Sequence, residues 1–288
     1  MKISDILKEG KVGISCELFP PKIGSQLNNV KEVVREMALL RPSYMSITYG
    51  ATGGTSEYTA DIANEIKNVN HIPALAHLTC VSSTREKVRS VIERLKQDKI
   101  ENILALRGDI PKNADFPLPN QYKYASELIY DIKSQGDFCI GGACYPEGHP
   151  EAKSMNDDLI HLKEKVDAGC DFLTTQMFFD NNIYYNFMYK ALQKNIHAPI
   201  IAGIMPVTKS SQIKQIISLS GNMVPPRFKA IVDRFADYPA AMRQAGIAYA
   251  TEQIIDLVAN GVNHIHIYTM NKPDVAGAIL NNLSEIIN

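Results

Sequence analysis

The sequence predicts an α/β protein built as a single (β/α)8 barrel, a TIM barrel, with extra helices between its seventh and eighth strands. Three observations lead there. Eight short β-rich runs alternate with amphipathic stretches of helical period. Most of those runs are apolar on both parities or carry small residues, as strands covered on both faces do. A chain of 288 residues is also an ordinary length for one such barrel.

In order, the strands are expected at Val12–Phe19, Tyr44–Tyr49, Ala74–Thr79 and Asn102–Leu106, then at Phe138–Tyr145, Phe172–Phe178, Ile200–Met205 and His264–Tyr268. Helices are expected at 26–40, 57–69, 84–98, 123–135, 155–168, 182–194, 209–219 and 274–287. Val30–Leu40 shows the i, i+3, i+4, i+7 spacing of a half-buried helix. Ser83-Thr84 stands before REKVRSVIERL as a helix start. Between the seventh and eighth strands there is room for further helices, around Pro225–Phe235 and Ala240–Asn260. Met1–Gly10 reads as a short polar helix capped by Ser4 or Asp5. The loop Asp109–Tyr122 carries three prolines, which shape it.

Composition narrows the function. The formal net charge is −1 and no Lys/Arg block stands out, which argues against nucleic acid or an anionic membrane as partner. No apolar run approaches the roughly 20 residues of a membrane span, and the N-terminus lacks the pattern of a signal peptide. Five cysteines without a Cys-x-x-Cys pair point to reduced thiols and a cytoplasmic location. Residues 1–288 are expected to form one catalytic domain.

Active sites of such barrels lie at the C-terminal strand ends. Here nearly every end carries polar groups: Glu17, Thr48 with Tyr49, His77, Arg107 with Asp109, Tyr145 with His149, Gln176, and Asn271 with Lys272. Glu17 sits within an apolar strand. Burial favours the protonated carboxyl, the tuning a general acid needs, although an ion pair with a lysine across the barrel reads equally well. Leu106-Arg107-Gly108-Asp109 sets a cation, a permissive backbone position and an anion together. Arg107 could fork onto phosphate, or simply pair with Asp109. His77, Tyr145 and His149 read from position alone as satisfied core residues. Cys139, Cys144 and His149 recur at five-residue intervals, but the two cysteines differ in strand parity and cannot close on one zinc. GxGxxG and Walker signatures are missing, so any dinucleotide would be held by the barrel mouth.

Taken together, the blocks CELFPPK (16–22), SITYGATGG (46–54), AHLTC (76–80), LALRGD (104–109), YPEGHPEAKS (145–154), KVDAGCDFLTTQMFFD (165–180), AGIMPV (202–207) and HIYTMNK (266–272) resemble the bacterial methylenetetrahydrofolate reductase family. The likeness runs from the first strand to the eighth and does not extend to the regulatory domain of eukaryotic relatives. It implies a ping-pong flavoenzyme of one-carbon and methionine metabolism. A reduced nicotinamide, NADH or NADPH, passes hydride to FAD, and methylenetetrahydrofolate is then reduced over the same flavin. A homo-oligomer is expected.

The resemblance also assigns residues. Glu17 matches the catalytic acid, and Asp109 matches the carboxylate near flavin and pterin. Gln176, Gln212 and Lys272 match folate-binding positions. For FAD the matching positions are Thr48, Tyr49, Ala51, His77, Arg107, Gly108, Asp109, Tyr124, Ala125, Tyr145, His149, Asp158 and Lys165. Arg107 and Lys165 suit the pyrophosphate charge, Tyr145 a ring and Asp158 a ribose. Without the resemblance, Asp158 and Lys165 read as a solvated helix face.

The chain departs from the enterobacterial pattern in three places. Lys272 replaces an arginine for the folate tail, which keeps the charge and loses the fork. Ile216 replaces a phenylalanine that stacks on NADH. His161 and Glu164 replace Asn and Arg near the adenosine, so both are left out of the site. Ile216 keeps open a rival in which a partner subunit delivers the electrons. Two further rivals are a flavin-free pterin methyltransferase and a lyase forming a Schiff base on Lys272 or Lys165.

Overall fold

The computed structural model describes residues 1–49, 56–81, 83–111, 115–220 and 222–287. Eight parallel strands close a barrel in sequence order, β1 through β8. They are β1 (Gly13–Leu18), β2 (Met45–Ile47), β3 (Ala74–Thr79), β4 (Asn102–Leu106), β5 (Cys139–Cys144), β6 (Phe172–Thr175), β7 (Ile200–Ile204) and β8 (His264–Tyr268). β1 and β8 complete the closure, with Ser15 opposite His266 and Glu17 opposite Tyr268. The helices are α1 (Ile3–Ile6), α2 (Leu27–Ala38), α3 (Ser56–Asn64), α4 (Arg85–Gln97), α5 (Ala125–Gln135), α6 (Met155–Asp167), α7 (Asn181–Gln193), α8 (Ser210–Ser220), α9 (Pro226–Phe235), α10 (Pro239–Ala259) and α11 (Pro273–Asn282). The (β/α)8 expectation holds, and α9 and α10 are the extra helices between the seventh and eighth strands.

Strand parity sorts the core. Outward residues such as Ile14, Cys16, Leu18, Ile103, Cys144 and Leu173 pack against the helices in the largest apolar cluster. Inward residues Tyr44, Leu75, Leu104, Cys139, Phe172 and Ile201 close the lower barrel. Cys139 and Cys144 thus sit on opposite faces of β5, as their parity predicts. Gly141 leaves space for Phe172, since a Cβ there would lie 2.5 Å from its ring.

The N-terminal segment differs from expectation. Its helix caps on Lys2 without a side-chain hydrogen bond, not on Ser4 or Asp5. Ile3 and Ile6, one turn apart, are buried with the lower barrel residues, so α1 is an apolar plug rather than a polar helix. So short a helix is held by tertiary contacts, among them Ile3 N–H donating to Asn102 Oδ1 at 2.8 Å. Elsewhere the local signals hold. Thr84 caps α4 by accepting from Lys87 N–H, and Ser154 caps α6 by accepting from Asp157 N–H. β6 stops earlier than predicted because Phe178 turns outward to stack on Tyr184. The proline loop is tied down by Tyr122, which is buried and hydrogen-bonded to Asp131.

Above the barrel, α8, α9 and α10 enclose a separate apolar cluster of Phe179, Met205, Val207, Ile216, Phe228 and Met242. Gly246 lets α10 approach the chain after β7 closely, since a Cβ there would lie 1.8 Å from the Val207 carbonyl.

Candidate active site

Glu17 is the penultimate residue of β1, points inward and is 7% exposed. The Nε2 atoms of His77 and His266 lie 3.8 and 3.9 Å from its Oε2. No lysine pairs with this carboxylate among the described residues, so the cross-barrel ion pair is not what the fold builds. Burial pushes the His77 imidazole down to about 4 against the opposing pull of Glu17, which leaves it neutral at pH 7. Its Nε2 is buried without a hydrogen-bond partner, and most buried polar atoms have one.

Beneath Glu17 lies a group that the sequence reasoning missed. His266 Nδ1 is 2.7 Å from Ser15 Oγ, and Nε2 is 3.2 Å from Ser46 Oγ. Because Ser15 Oγ donates to the Ile265 carbonyl, it accepts from His266 Nδ1–H. Tyr268 stands edge-on to His266, and its hydroxyl donates to the Thr175 carbonyl at 2.6 Å. The signal was present in HIHIY. His264, His266 and Tyr268 share the parity that faces the barrel interior.

A second arc forms at β4, β5 and α6. Gly108 adopts φ +86° between Thr79 and Val81, where a side chain would be strained. Arg107 does not pair with Asp109. Its fork closes on Glu151 at 2.6 and 2.8 Å, which raises its pKa further, while Asp109 is exposed. His149 Nδ1 accepts from Glu151 N–H, and His149 N–H donates to Asp158 Oδ2. Tyr145 packs edge-on to His149, and burial pushes its phenol up to about 12. Lys165 Nζ donates to the Ala143 carbonyl at 2.5 Å, and burial lowers its pKa. Burial raises that of Asp158. These two residues therefore form part of the strand-end arc, not a solvated face. Tyr124 is the exposed residue before α5, and Ala125 is its first residue.

A third arc joins β6, α8 and the end of β8. Gln176 follows β6, with its Oε1 accepting from Met177 N–H at 3.1 Å. Gln212 Oε1 accepts from the N–H groups of Thr208 and Lys209 at 2.9 Å each, so it caps its own helix. Lys272 Nζ donates to Thr208 Oγ1 at 2.9 Å, and burial together with Lys209 lowers its pKa. Asn271 clamps both the N–H and the carbonyl of Phe19, just beyond Glu17.

The remaining candidates are more scattered. Thr48 is half-buried, and its carbonyl accepts from Thr59 Oγ1. Tyr49 turns its ring into the core between barrel and helices, its hydroxyl 3.1 Å from Ser83 Oγ. Ala51 lies outside the described residues. His161 and Glu164 pair with each other on exposed α6. No group of His, Cys, Asp or Glu among the described residues is arranged to hold a metal.

The sequence model of the methylenetetrahydrofolate reductase family matches residues 2–284. The chain belongs to the methylenetetrahydrofolate reductase family. Curated members of it include the 5,10-methylenetetrahydrofolate reductases of Pectobacterium carotovorum and Escherichia coli. Each is 34% identical over 96% of this chain, covering 91% and 92% of those proteins. The maize relative, methylenetetrahydrofolate reductase (NADH) 1, is 35% identical over 99% of this chain, which spans 50% of its length. Among solved structures, an uncharacterized protein from Clostridium thermocellum that binds two copies of 5-methyl-5,6,7,8-tetrahydrofolic acid superimposes with a TM-score of 0.61. The two share 15% identity, with 97% of this chain and 96% of that one covered, a likeness that bears on the fold alone.

Proposed function

We propose that this chain reduces 5,10-methylenetetrahydrofolate to 5-methyltetrahydrofolate, with FAD at the barrel mouth and NADH or NADPH as electron donor. The observation that carries the reading is a buried carboxyl at the mouth, flanked by a neutral histidine whose Nε2 has no partner, in a chain of this family. The residues fit the cofactor. Arg107 and Lys165 are cations on one arc, suited to a pyrophosphate, and the orphaned His77 Nε2 offers a polar contact to a ring edge. Asp158, Tyr145, His149 and the start of α5 at Tyr124 and Ala125 complete that arc, with Thr48, Tyr49, Ala51 and Gly108 as further positions. When bound, FAD supplies hydride transfer, which no side chain can.

The chain's own residues do the rest. Glu17 delivers a proton to the folate so that its imidazolidine ring opens to an electrophilic iminium. The surrounding apolar strands keep water from the carboxyl, and neutral His77 adds no cation beside it. Asp109 places a negative charge near flavin and pterin. Gln176 and Gln212 read the folate, for which Gln212 gives up part of its capping role. Lys272 meets the negative tail, and Arg107 exchanges Glu151 for phosphate oxygens.

A second reading keeps the folate chemistry and takes electrons from a partner protein. It is favoured by Ile216, which is buried in the α8–α10 cluster and leaves no aromatic platform at that position. We further infer a homo-oligomer working in the cytoplasm. No helix among the described residues is long and apolar enough to cross a membrane, and all five cysteines are unpaired and buried. The test is an absorbance spectrum of the purified protein before and after each nicotinamide, followed by methylenetetrahydrofolate. A flavin spectrum that bleaches with NADH or NADPH and returns with folate is expected. Bleaching only with a protein donor selects the second reading, and failure to take up FAD sinks both.

A further inference from the structure

Glu147 has no role in that site, yet its side chain and that of Asn222 together join three neighbouring rim segments. It lies in the β5–α6 loop, beside Gly148, whose φ of +89° turns the chain. Its Oε1 accepts from Asn222 Nδ2 at 2.8 Å, and its Oε2 accepts from Met223 N–H at 2.8 Å. The same Asn222 nitrogen donates to the Met177 carbonyl at 2.8 Å. The loops after β5 and β6 are thus tied to the segment that follows α8. A carboxylate serving two N–H donors belongs to the stronger class of hydrogen bond. Asn222 is buried, so breaking the link to Glu147 leaves one of its two amide hydrogens unpaired, the other staying on the Met177 carbonyl.

The consequence lies in how α8 is held. At its N-terminal end, Gln212 caps the helix and Lys272 reaches Thr208. One face packs through Ile213 and Ile216 onto α9 and α10. Beyond its C-terminal end, Glu147 is a polar anchor among the described residues, and it comes from the loop that also carries Tyr145 and His149. We propose that Glu147 is a positioning residue: it fixes where α8 lies over the mouth and so sets folate affinity without touching the folate. The proposal rests on the functional reading above.

Glutamine keeps the shape at this position, but its Nε2 would face one of the two N–H donors. With the FAD-loaded protein, 5-methyltetrahydrofolate is titrated by the change in flavin absorbance. Glu147→Gln should weaken its binding about tenfold, in line with the loss of one hydrogen bond to a charged group, while FAD affinity stays within about twofold. Asn222→Ala should do the same, and the double variant should be no worse than the weaker single, since both cut one link. Amide hydrogen exchange over 210–220 should quicken in each variant. Unchanged folate affinity and exchange, or additive losses in the double variant, would overturn the proposal. A parallel loss of FAD and folate affinity would overturn it too, reducing Glu147 to general support of the fold. If the unaltered protein binds no folate, the functional reading falls, and exchange over α8 alone decides whether Glu147 positions that helix.

Discussion

Gly203→Ala should destabilise the barrel by an amount that can be worked from its surroundings. Gly203 is buried on β7 and faces the barrel interior, its N–H donating to Thr175 Oγ1 at 2.8 Å. A Cβ there would lie 2.4 Å from the Thr175 carbonyl oxygen and 2.7 and 2.8 Å from Cε2 and the hydroxyl of Tyr268. The carbonyl is backbone, so β6 and β7 must part, and Tyr268 must swing away from its 2.6 Å bond to that same oxygen. Overpacking of this kind costs about 1–3 kcal/mol, and the lost hydrogen bond adds about 1 kcal/mol. The sum is about 2–4 kcal/mol, or a fall in melting temperature of about 3–7 °C for a chain of this length. Urea unfolding followed by circular dichroism measures it. Gly261→Ala serves as control: it has φ +84° and nothing within 4 Å of the added Cβ, so only backbone strain of about 1–2 kcal/mol applies. If Gly203→Ala unfolds like the parent, or costs less than the control, the packing argument beneath the site is wrong.

Two further predictions concern the same region. His77 falls from an ordinary value of 6.5 to about 4 on folding, so its contribution is intact above pH 6.5 and is lost as pH drops through 4. The loss reaches about 2 kcal/mol at pH 5. The stability difference between the parent and His77→Gln should therefore shift by that amount between pH 7 and pH 5, and a flat difference would mean that the ring is not buried neutral. Asn271→Ala removes both hydrogen bonds to Phe19 from a position with φ +55°. It should cost about 2–3 kcal/mol in urea unfolding and raise the KM for folate by loosening the end of β1.

Much of the barrel was legible because its strands obey one rule: covered on both faces, they read as apolar runs at regular spacing. The extra helices between β7 and β8 were visible as surplus length. The α1 plug was not, because Ile3 and Ile6 gain their meaning only from a hole beneath the barrel that no local pattern reveals. At the site, Glu17 stood out as a charge in an apolar strand. His266 escaped because β8 was read for its ends, although its alternation already placed His266 and Tyr268 beside Glu17. Glu151 and Glu147 could not be found by spacing. Their partners Arg107 and Asn222 lie 44 and 75 residues away, and surface glutamates look alike in sequence.

The central claim is that Glu17 supplies a proton to the folate and takes no part in loading electrons. Stopped-flow kinetics of Glu17→Gln, with each half-reaction followed separately through the flavin absorbance, tests it most directly. Flavin reduction by the donor should stay within about threefold of the parent, while reoxidation by methylenetetrahydrofolate should slow by about 10²–10⁴-fold, the usual contribution of a positioned acid. Equal slowing of both half-reactions, or an undisturbed folate step, would contradict the account.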